Sequence, residues 1–466
     1  MSTKKNFDIA IIGGGVVGIT MGFWLSELYD CSIVVIDKEP GLAFHQSSRN
    51  TCAVHRPVLD DPRMKIGRIR DRSYHLWHRL AETYRLPWIT LGRLTLAVEE
   101  EDAFLLERGL KWGVENGIPE KEISLLNREE IKRLEPYVDC VKGLLSTTES
   151  VTSYGDLTRR LFLLSEENGV QFARGAEVEQ IRETGKGIEI EIRDVASGIA
   201  SGINCSFLVN AGGGRALKLA HMLHTGMQYS EINLRGEYWT VGEPLAAGVT
   251  RNIYPVTRHG IEGIDLSFTG PHLITRYDGL GGWRKEIGPT GALVLGAFAY
   301  SGSCENMFTA LEQIFSTPVK PWVKVLGNKE FYSFAWNQWR MTQSKTGIVR
   351  YLKRCIPSLD EGMLVSKGVT GVLYEVLGDK GFSWEPILLD SPSSVSILFV
   401  GLGATGAPVF SARTILDLIG KGHFDGLKKR DKGTHDYVWS FDIATDLDNV
   451  QSNRNSTYGL TSGGAK

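Results

Sequence analysis

Gly13-Gly14-Gly15-Val16-Val17-Gly18 has the GxGxxG spacing with which a backbone holds a nucleotide pyrophosphate. An apolar run, Phe7 to Ile12, leads into it, and a helix-like stretch, Ile19 to Leu28, follows. Gly13 permits the tight turn out of the strand. Gly15 omits a Cβ that would keep backbone amides from the phosphates, and Gly18 lets the helix pack on the sheet. The positive end of that helix then faces the pyrophosphate. A second apolar run, Ser32 to Ile36, ends in Asp37, where a carboxylate can accept hydrogen bonds from an adenosine ribose. An acid there favours a free 2′-hydroxyl, so FAD or NAD over NADP, and the motif does not choose between the two.

A second unit of the same kind lies near the other end of the chain. The strand-like Ser396 to Gly401 runs into Leu402-Gly403-Ala404-Thr405-Gly406-Ala407 and a helix from about Pro408 to Ile419. Between the two units, Phe207 to Gly213 reads as a buried strand whose end, Ala211-Gly212-Gly213, would lie beside a cofactor. An NAD dehydrogenase seldom needs the second turn. A flavin does, because its adenine and isoalloxazine ends are far apart. A helix N-terminus at the pyrimidine edge also stabilises the charge of the reduced ring. FAD is therefore the expected cofactor.

With these residues in view, the chain resembles the FAD-dependent oxidoreductases of the D-amino-acid oxidase superfamily, and within it the L-2-hydroxyglutarate dehydrogenase/oxidase group. His45-Gln46-Ser47-Ser48-Arg49-Asn50-Thr51-Cys52-Ala53-Val54-His55 is similar to that group's HQTGHNSGVIH segment. Leu234 to Trp239 resembles its FRGEY strand, Ile253 to Val256 its IYPV, and Pro271 to Arg276 its VHFTR. The resemblance runs from about Phe7 to Ile419 and implies a noncovalent FAD, oxidation of a secondary alcohol next to a carboxylate, and electrons passed to a quinone, a flavoprotein or dioxygen. It places His55 near the flavin, where it would take the hydroxyl proton while hydride leaves for the flavin. His272 and Arg276 join His55 as catalytic candidates. Lys38, His45, Gln46, Ser47, Ser48, Asn50, Thr51 and Val178 join Gly13, Gly15, Gly18, Asp37, Ala211, Gly212, Gly403, Ala404, Thr405, Gly406 and Ala407 as cofactor candidates.

The chain departs from the group at two places. GVIHAGVYY continues here as Ala53-Val54-His55-Arg56-Pro57-Val58-Leu59, which changes the pocket wall. The substrate-facing arginine of GVRAQ is replaced in Gly368-Val369-Thr370-Gly371-Val372, where Thr370 holds its place. A carboxylate substrate favours a bidentate guanidinium. Arg56, Arg258 and Arg276 are candidates to supply it, with Tyr254 and Thr370 lining the substrate site. L-Malate, L-lactate or another 2-hydroxy acid fits as well as 2-hydroxyglutarate. An amine or amino-acid oxidase of the same superfamily, or a non-enzymatic flavin-binding regulator, remain the competing readings.

The fold that must position these groups is α/β, α+β overall: a discontinuous Rossmann-like FAD-binding domain with an inserted substrate domain on a mostly antiparallel sheet. The expected boundaries are 1–85, 145–225 and 360–425 for the former, 86–144 and 226–359 for the latter, and 426–466 for a polar tail with a disordered end. Helices are expected from about Arg63 to Tyr84, Glu100 to Asn116 and Gly155 to Asn168, and a capped short one at Asn127-Arg128-Glu129-Glu130. Trp88 to Val98 and Val170 to Ile181 each read as one strand.

The bulk composition excludes several classes. A hydrophobic content of 42% and charged content of 23% are those of a globular protein, and a formal charge of −2 gives no argument for nucleic acid. Six scattered cysteines contain no CxxC pair, so neither a metal knuckle nor a disulfide framework is indicated, and free thiols in the cytosol are expected. His75-Leu76-Trp77-His78 and His221-Met222-Leu223-His224 have i, i+3 spacing but no carboxylate or cysteine at ligand spacing. The aromatic cluster Phe331 to Trp339 reads as packing, with no basic stripe beside it for base stacking. Ile9 to Ser26 has no charge, yet three consecutive glycines would weaken a membrane helix there. The expected location is cytoplasmic, with peripheral membrane contact at the cytoplasmic face left open.

Overall fold

The computed structural model describes residues 4–256, 270–300, 318–379, 381–383 and 385–447. The apolar N-terminal run forms strand β1 (Lys5–Ile12), turns through the glycines into helix α1 (Val16–Leu28), and returns as β2 (Ile33–Asp37), parallel to β1. Ala200–Asn210 pairs in parallel on the other side of β1, Gln171–Arg174 beyond β2, and Ser394–Phe399 beside Ala200–Asn210. Antiparallel strands Ala176–Thr184, Gly187–Asp194 and Ile387–Ser391 complete an eight-stranded sheet.

Helix α1 is apolar on every side because it is enclosed on every side. Val16, Ile19, Met21, Phe23, Trp24 and Leu25 are all buried, against the sheet and the helices Tyr154–Glu167 and Ala407–Gly420. This accounts for the uncharged N-terminal stretch. Thirteen residues make a helix of about 20 Å, short of a bilayer's ~30 Å core. Among the described residues, no helix is long and apolar enough to cross a membrane.

A second sheet has nine strands, all paired antiparallel except Asn252–Pro255 beside Arg93–Ala97. Its centre is the long trio Ser230–Val241, Trp283–Val294 and Leu364–Gly378, and His272–Tyr277 lies between Trp283–Val294 and Asn252–Pro255. The parallel sheet with an antiparallel one inserted is the architecture expected. The second sheet reaches past residue 360, however, because Leu364–Gly378 pairs along almost its whole length with Ser230–Val241.

Other local expectations are corrected. Trp88 to Val98 is two strands, Trp88–Thr90 in a small three-stranded sheet and Arg93–Ala97 in the large one. Gly92, at φ +80°, makes the break. Val170 to Ile181 likewise divides at Gly175, φ +64°. The polar tail is not a tail as far as residue 447: Val438, Trp439, Ala444 and Leu447 are in the main core. Trp439 Nε1 donates to the Leu76 carbonyl at 2.7 Å, and His435 meets the buried Glu27 at 2.7 Å. Apolar side chains sparse in sequence converge here on helix α1. The last fifteen residues lie outside the described ones.

Candidate functional site

The first glycine turn is dictated by how closely backbones meet. Gly13 has φ +112°, and a Cβ on it would stand 2.2 Å from the Ala211 carbonyl oxygen. A Cβ on Gly18 would stand 2.0 Å from the Gly13 carbonyl oxygen. At the start of α1, Val16 N donates to Ser47 Oγ at 2.9 Å, and a Cβ on Gly15 would come within 3.2 Å of the same hydroxyl. Asp37 accepts from Gly14 N at 2.6 Å and Glu39 N at 2.8 Å, while burial pushes its carboxyl above the ordinary range.

Around this turn opens a cavity of roughly 410 Å³. Gly13, Gly15, Asp37, Lys38, Val178, Ala211 and Gly212 line it, with His45, Gln46 and Ser47 on one wall. Backbone amides at a helix start, a carboxylate at the end of β2 and an apolar wall fit the adenosine and pyrophosphate end of a dinucleotide. The wall residues also hold one another. His45 contacts Tyr300 Oη at 2.7 Å and Glu39 Oε1 at 2.9 Å, and Gln46 Nε2 donates to the Val372 carbonyl at 2.9 Å. Asn50 is outside the lining. Its amide donates to the Gln46 and Ser47 carbonyls at 3.0 Å and its oxygen accepts from Cys52 N at 2.8 Å, which staples the loop. Ser48 lies against Gly155, and Thr51 is half-buried.

The second glycine turn meets the first through its helix. Thr20 and Ser411 hydroxyls are 2.7 Å apart, and Trp24 Nε1 donates to the Pro408 carbonyl at 2.9 Å. Gly403 has φ +59°, Gly406 caps the helix start, and Ala407 begins it. Trp77 Nε1 donates to the Thr405 carbonyl at 3.0 Å and reaches that of Ala404 at 3.2 Å. Thr405 Oγ1 lies 2.7 Å from the Tyr154 hydroxyl and accepts from His55 N at 3.4 Å. The turn at 403–407 is thus docked on the segment that carries His55.

His55 Nδ1 lies 3.2 Å from Oε2 of Glu149, whose side chain has no exposed surface. Burial alone would raise the Glu149 carboxyl, but His55 and then Arg93 outweigh it and hold it below its ordinary value. An ionised Glu149 can accept a proton from Nδ1, and in the neutral ring that tautomer carries its lone pair on Nε2. Arg93, 3.7 Å from the same Glu149 oxygen, lies over the Tyr254 ring at 4.3 Å. Tyr254 stacks on His272 at 4.4 Å and meets His55 edge-on at 6.1 Å. His272 is fully buried. Its Nδ1 bonds the Gly270 carbonyl at 2.9 Å, and burial pushes its pKa down to about 3. Arg276, four residues further along the strand and on the same face, bonds Glu286 Oε2 through Nε at 2.6 Å and also reaches the Asn50 carbonyl. Among the described residues, the Tyr254 hydroxyl, His272 Nε2 and Arg276 Nη2 are buried without a hydrogen-bond partner.

Not every expected residue reaches this centre. Arg56 is buried with its Nη2 3.0 Å from Asp71 and its guanidinium over the Tyr74 ring, away from the Tyr254, His272 and Arg276 contacts, and its Nε and Nη2 have no hydrogen-bond partner among the described residues. Arg258 lies outside the described residues. Thr370 accepts an Arg49 Nη1 bond at 3.2 Å on its carbonyl, so a guanidinium does stand beside it, supplied by a residue the sequence did not single out. Glu149 and Arg93 were also missed. Neither lies in a recognisable motif, and both join His55 only through the small sheet and the strand Arg93–Ala97. Among the described residues, no group of three or more His, Cys, Asp or Glu could hold a metal ion.

A family model described as FAD dependent oxidoreductase matches residues 8–381. The chain belongs to this family. FAD is accordingly the cofactor of this oxidoreductase, in keeping with the fit of the glycine-lined cavity. The chain is similar to the mitochondrial L-2-hydroxyglutarate dehydrogenase of Nematostella vectensis, 22% identical over 89% of this chain and 87% of the relative. It is also similar to the L-2-hydroxyglutarate dehydrogenase of Escherichia coli, 24% identical over 76% and 79%. Among solved structures, the FAD-bound L-alpha-glycerophosphate oxidase of Mycoplasma pneumoniae superposes with a TM-score of 0.67 at 20% identity, covering 92% of this chain and 97% of that one. The L-proline dehydrogenase of P. horikoshii gives 0.63 at 16%, covering 94% and 99%. These likenesses establish that the oxidoreductase shares their fold.

Proposed function

We propose that this oxidoreductase oxidises a small L-2-hydroxy acid to the 2-oxo acid and passes the electrons to a quinone or another acceptor. The observation that supports the reading is the His55–Glu149 pair, in which Nδ1 faces a buried carboxylate at 3.2 Å, an arrangement suited to a base at Nε2. The names of the relatives support the substrate class.

In this reading Gly13, Gly15, Asp37, Lys38, Val178, Ala211 and Gly212 hold the adenosine and pyrophosphate end of FAD, and Gly403 to Ala407 approach its other end. Bound FAD supplies the two-electron acceptor for the α-hydrogen. His55 takes the hydroxyl proton at Nε2, and Glu149 keeps the ring in the tautomer and orientation that this requires. The Tyr254 hydroxyl and Arg276 Nη2, both buried donors without a partner, receive the substrate carboxylate. His272 stays neutral and packs Tyr254 in place.

Anaerobic mixing with a panel of L-2-hydroxy acids and amino acids, followed by flavin absorbance, tests the proposal. At least one hydroxy acid is expected to bleach the flavin and no amine. Bleaching by amino acids alone would overturn it.

A further inference from the structure

The helix Lys329–Gln343 has one face committed to the protein. Phe331, Gln338 and Thr342 are buried, and Gln338 Oε1 accepts from Gly291 N of the second sheet at 3.1 Å. An adjoining, outward face carries Tyr332, Trp336 and Trp339, spaced four and three residues apart and 52%, 58% and 45% exposed. The two indoles stack on each other at 5.0 Å. Val323 and Leu326 of the preceding helix, Val319–Leu326, are exposed as well. The expectation that this aromatic cluster is packing therefore holds for Phe331 and fails for the three outward rings. Single exposed apolar side chains are ordinary, but a contiguous aromatic stripe is not.

Charge says what covers it. Residues 318–356 contain eight Lys and Arg against one acidic residue, Glu330, in a chain whose formal charge is −2. Lys329 and Arg340 are exposed on the same helix, flanking the stripe, and Arg350, Lys353 and Arg354 are exposed further along the chain. We propose that this face docks on an anionic phospholipid bilayer, with Tyr332, Trp336 and Trp339 at the headgroup level and the basic residues on the lipid phosphates. Amphipathic aromatic rings prefer that interface, and neighbouring cations are drawn to anionic lipid. A second copy of this chain would carry the same positive charge into the contact, which disfavours a symmetric dimer here. The proposal is independent of the substrate reading, and it would bring the oxidoreductase to an acceptor dissolved in lipid.

Flotation of the FAD-loaded protein with phosphatidylcholine vesicles, with and without phosphatidylglycerol, tests it. The protein is expected to float with the anionic vesicles and to be released by salt. The triple variant Tyr332→Ser, Trp336→Ser, Trp339→Ser should lose roughly tenfold or more of the bound fraction while keeping its flavin spectrum. Lys329→Glu with Arg340→Glu, which touches only exposed charges, should lose a similar share. No flotation of the unaltered protein, flotation unchanged in the charge-reversed variant, or a dimer in light scattering that the serine variant abolishes would each overturn the proposal.

Discussion

His55 Nδ1 and Glu149 Oε2 stand 3.2 Å apart although 94 residues separate them in the chain. The pair forms because Ala53–Val54 and Ser150–Thr152 are antiparallel neighbours, with Ala53 opposite Val151 and Val54 opposite Ser150. Each residue sits one position beyond the paired stretch, on adjoining strands. Replacing Glu149 by Gln keeps the volume and removes the charge. Flavin reduction should slow roughly 10- to 100-fold, with substrate dissociation constant and FAD content unchanged, and Glu149→Asp should recover part of the loss. A change in melting temperature alone, with the reduction rate intact, would reduce Glu149 to a structural residue.

Gly18 should tolerate no side chain. Gly18→Ala places a carbon against the Gly13 carbonyl, which is backbone and cannot rotate away. A loss of about 2–3 kcal/mol of stability, together with loss of bound flavin, is expected. Thermal unfolding and the ratio of flavin to protein absorbance measure both.

Glu286 serves two arginines, Arg276 at 2.6 Å and Arg284 at 2.8 Å, and has no exposed side-chain surface. Its replacement by Leu leaves Arg276 charged and buried, so a cost of about 3–5 kcal/mol is expected. Arg284, with 36% of its side chain exposed, should cost about 1 kcal/mol or less when changed to Met. Urea midpoints for the two variants should differ accordingly, and equal effects would contradict the assignment.

Acid should weaken the fold partly through His272. Its pKa is about 3 in the folded chain, against an ordinary value of 6.5. Below the ordinary value the unfolded chain takes up a proton that the folded chain refuses, so stability falls as pH falls through that window. The slope from this residue is at most about 1.4 kcal/mol per pH unit. Burial lowers His75 as well, with the same sign, so His272→Asn should flatten the curve without abolishing it. Urea unfolding across that window, in the unaltered protein and the variant, reads the slope directly.

The cofactor side was legible in the sequence because its requirements are local. Glycines at 13 and 18 answer to backbone collisions within one turn, Asp37 ends the adjacent strand, and Asn127 and Glu130 form their capping box within four residues. Spacing along the chain is enough to specify such contacts. The substrate side was not legible in the same way. That Arg56 pairs with Asp71 and Arg276 with Glu286 does not follow from spacing. The partner of His55, the burial of Trp439 and the outward turn of Trp336 likewise depend on which distant surface each side chain meets. The sequence by itself determined the family's glycine framework and the flavin it holds. The tertiary structure alone decided which charges neutralise one another in the core, because burial and long-range pairing set the cost of every buried charge.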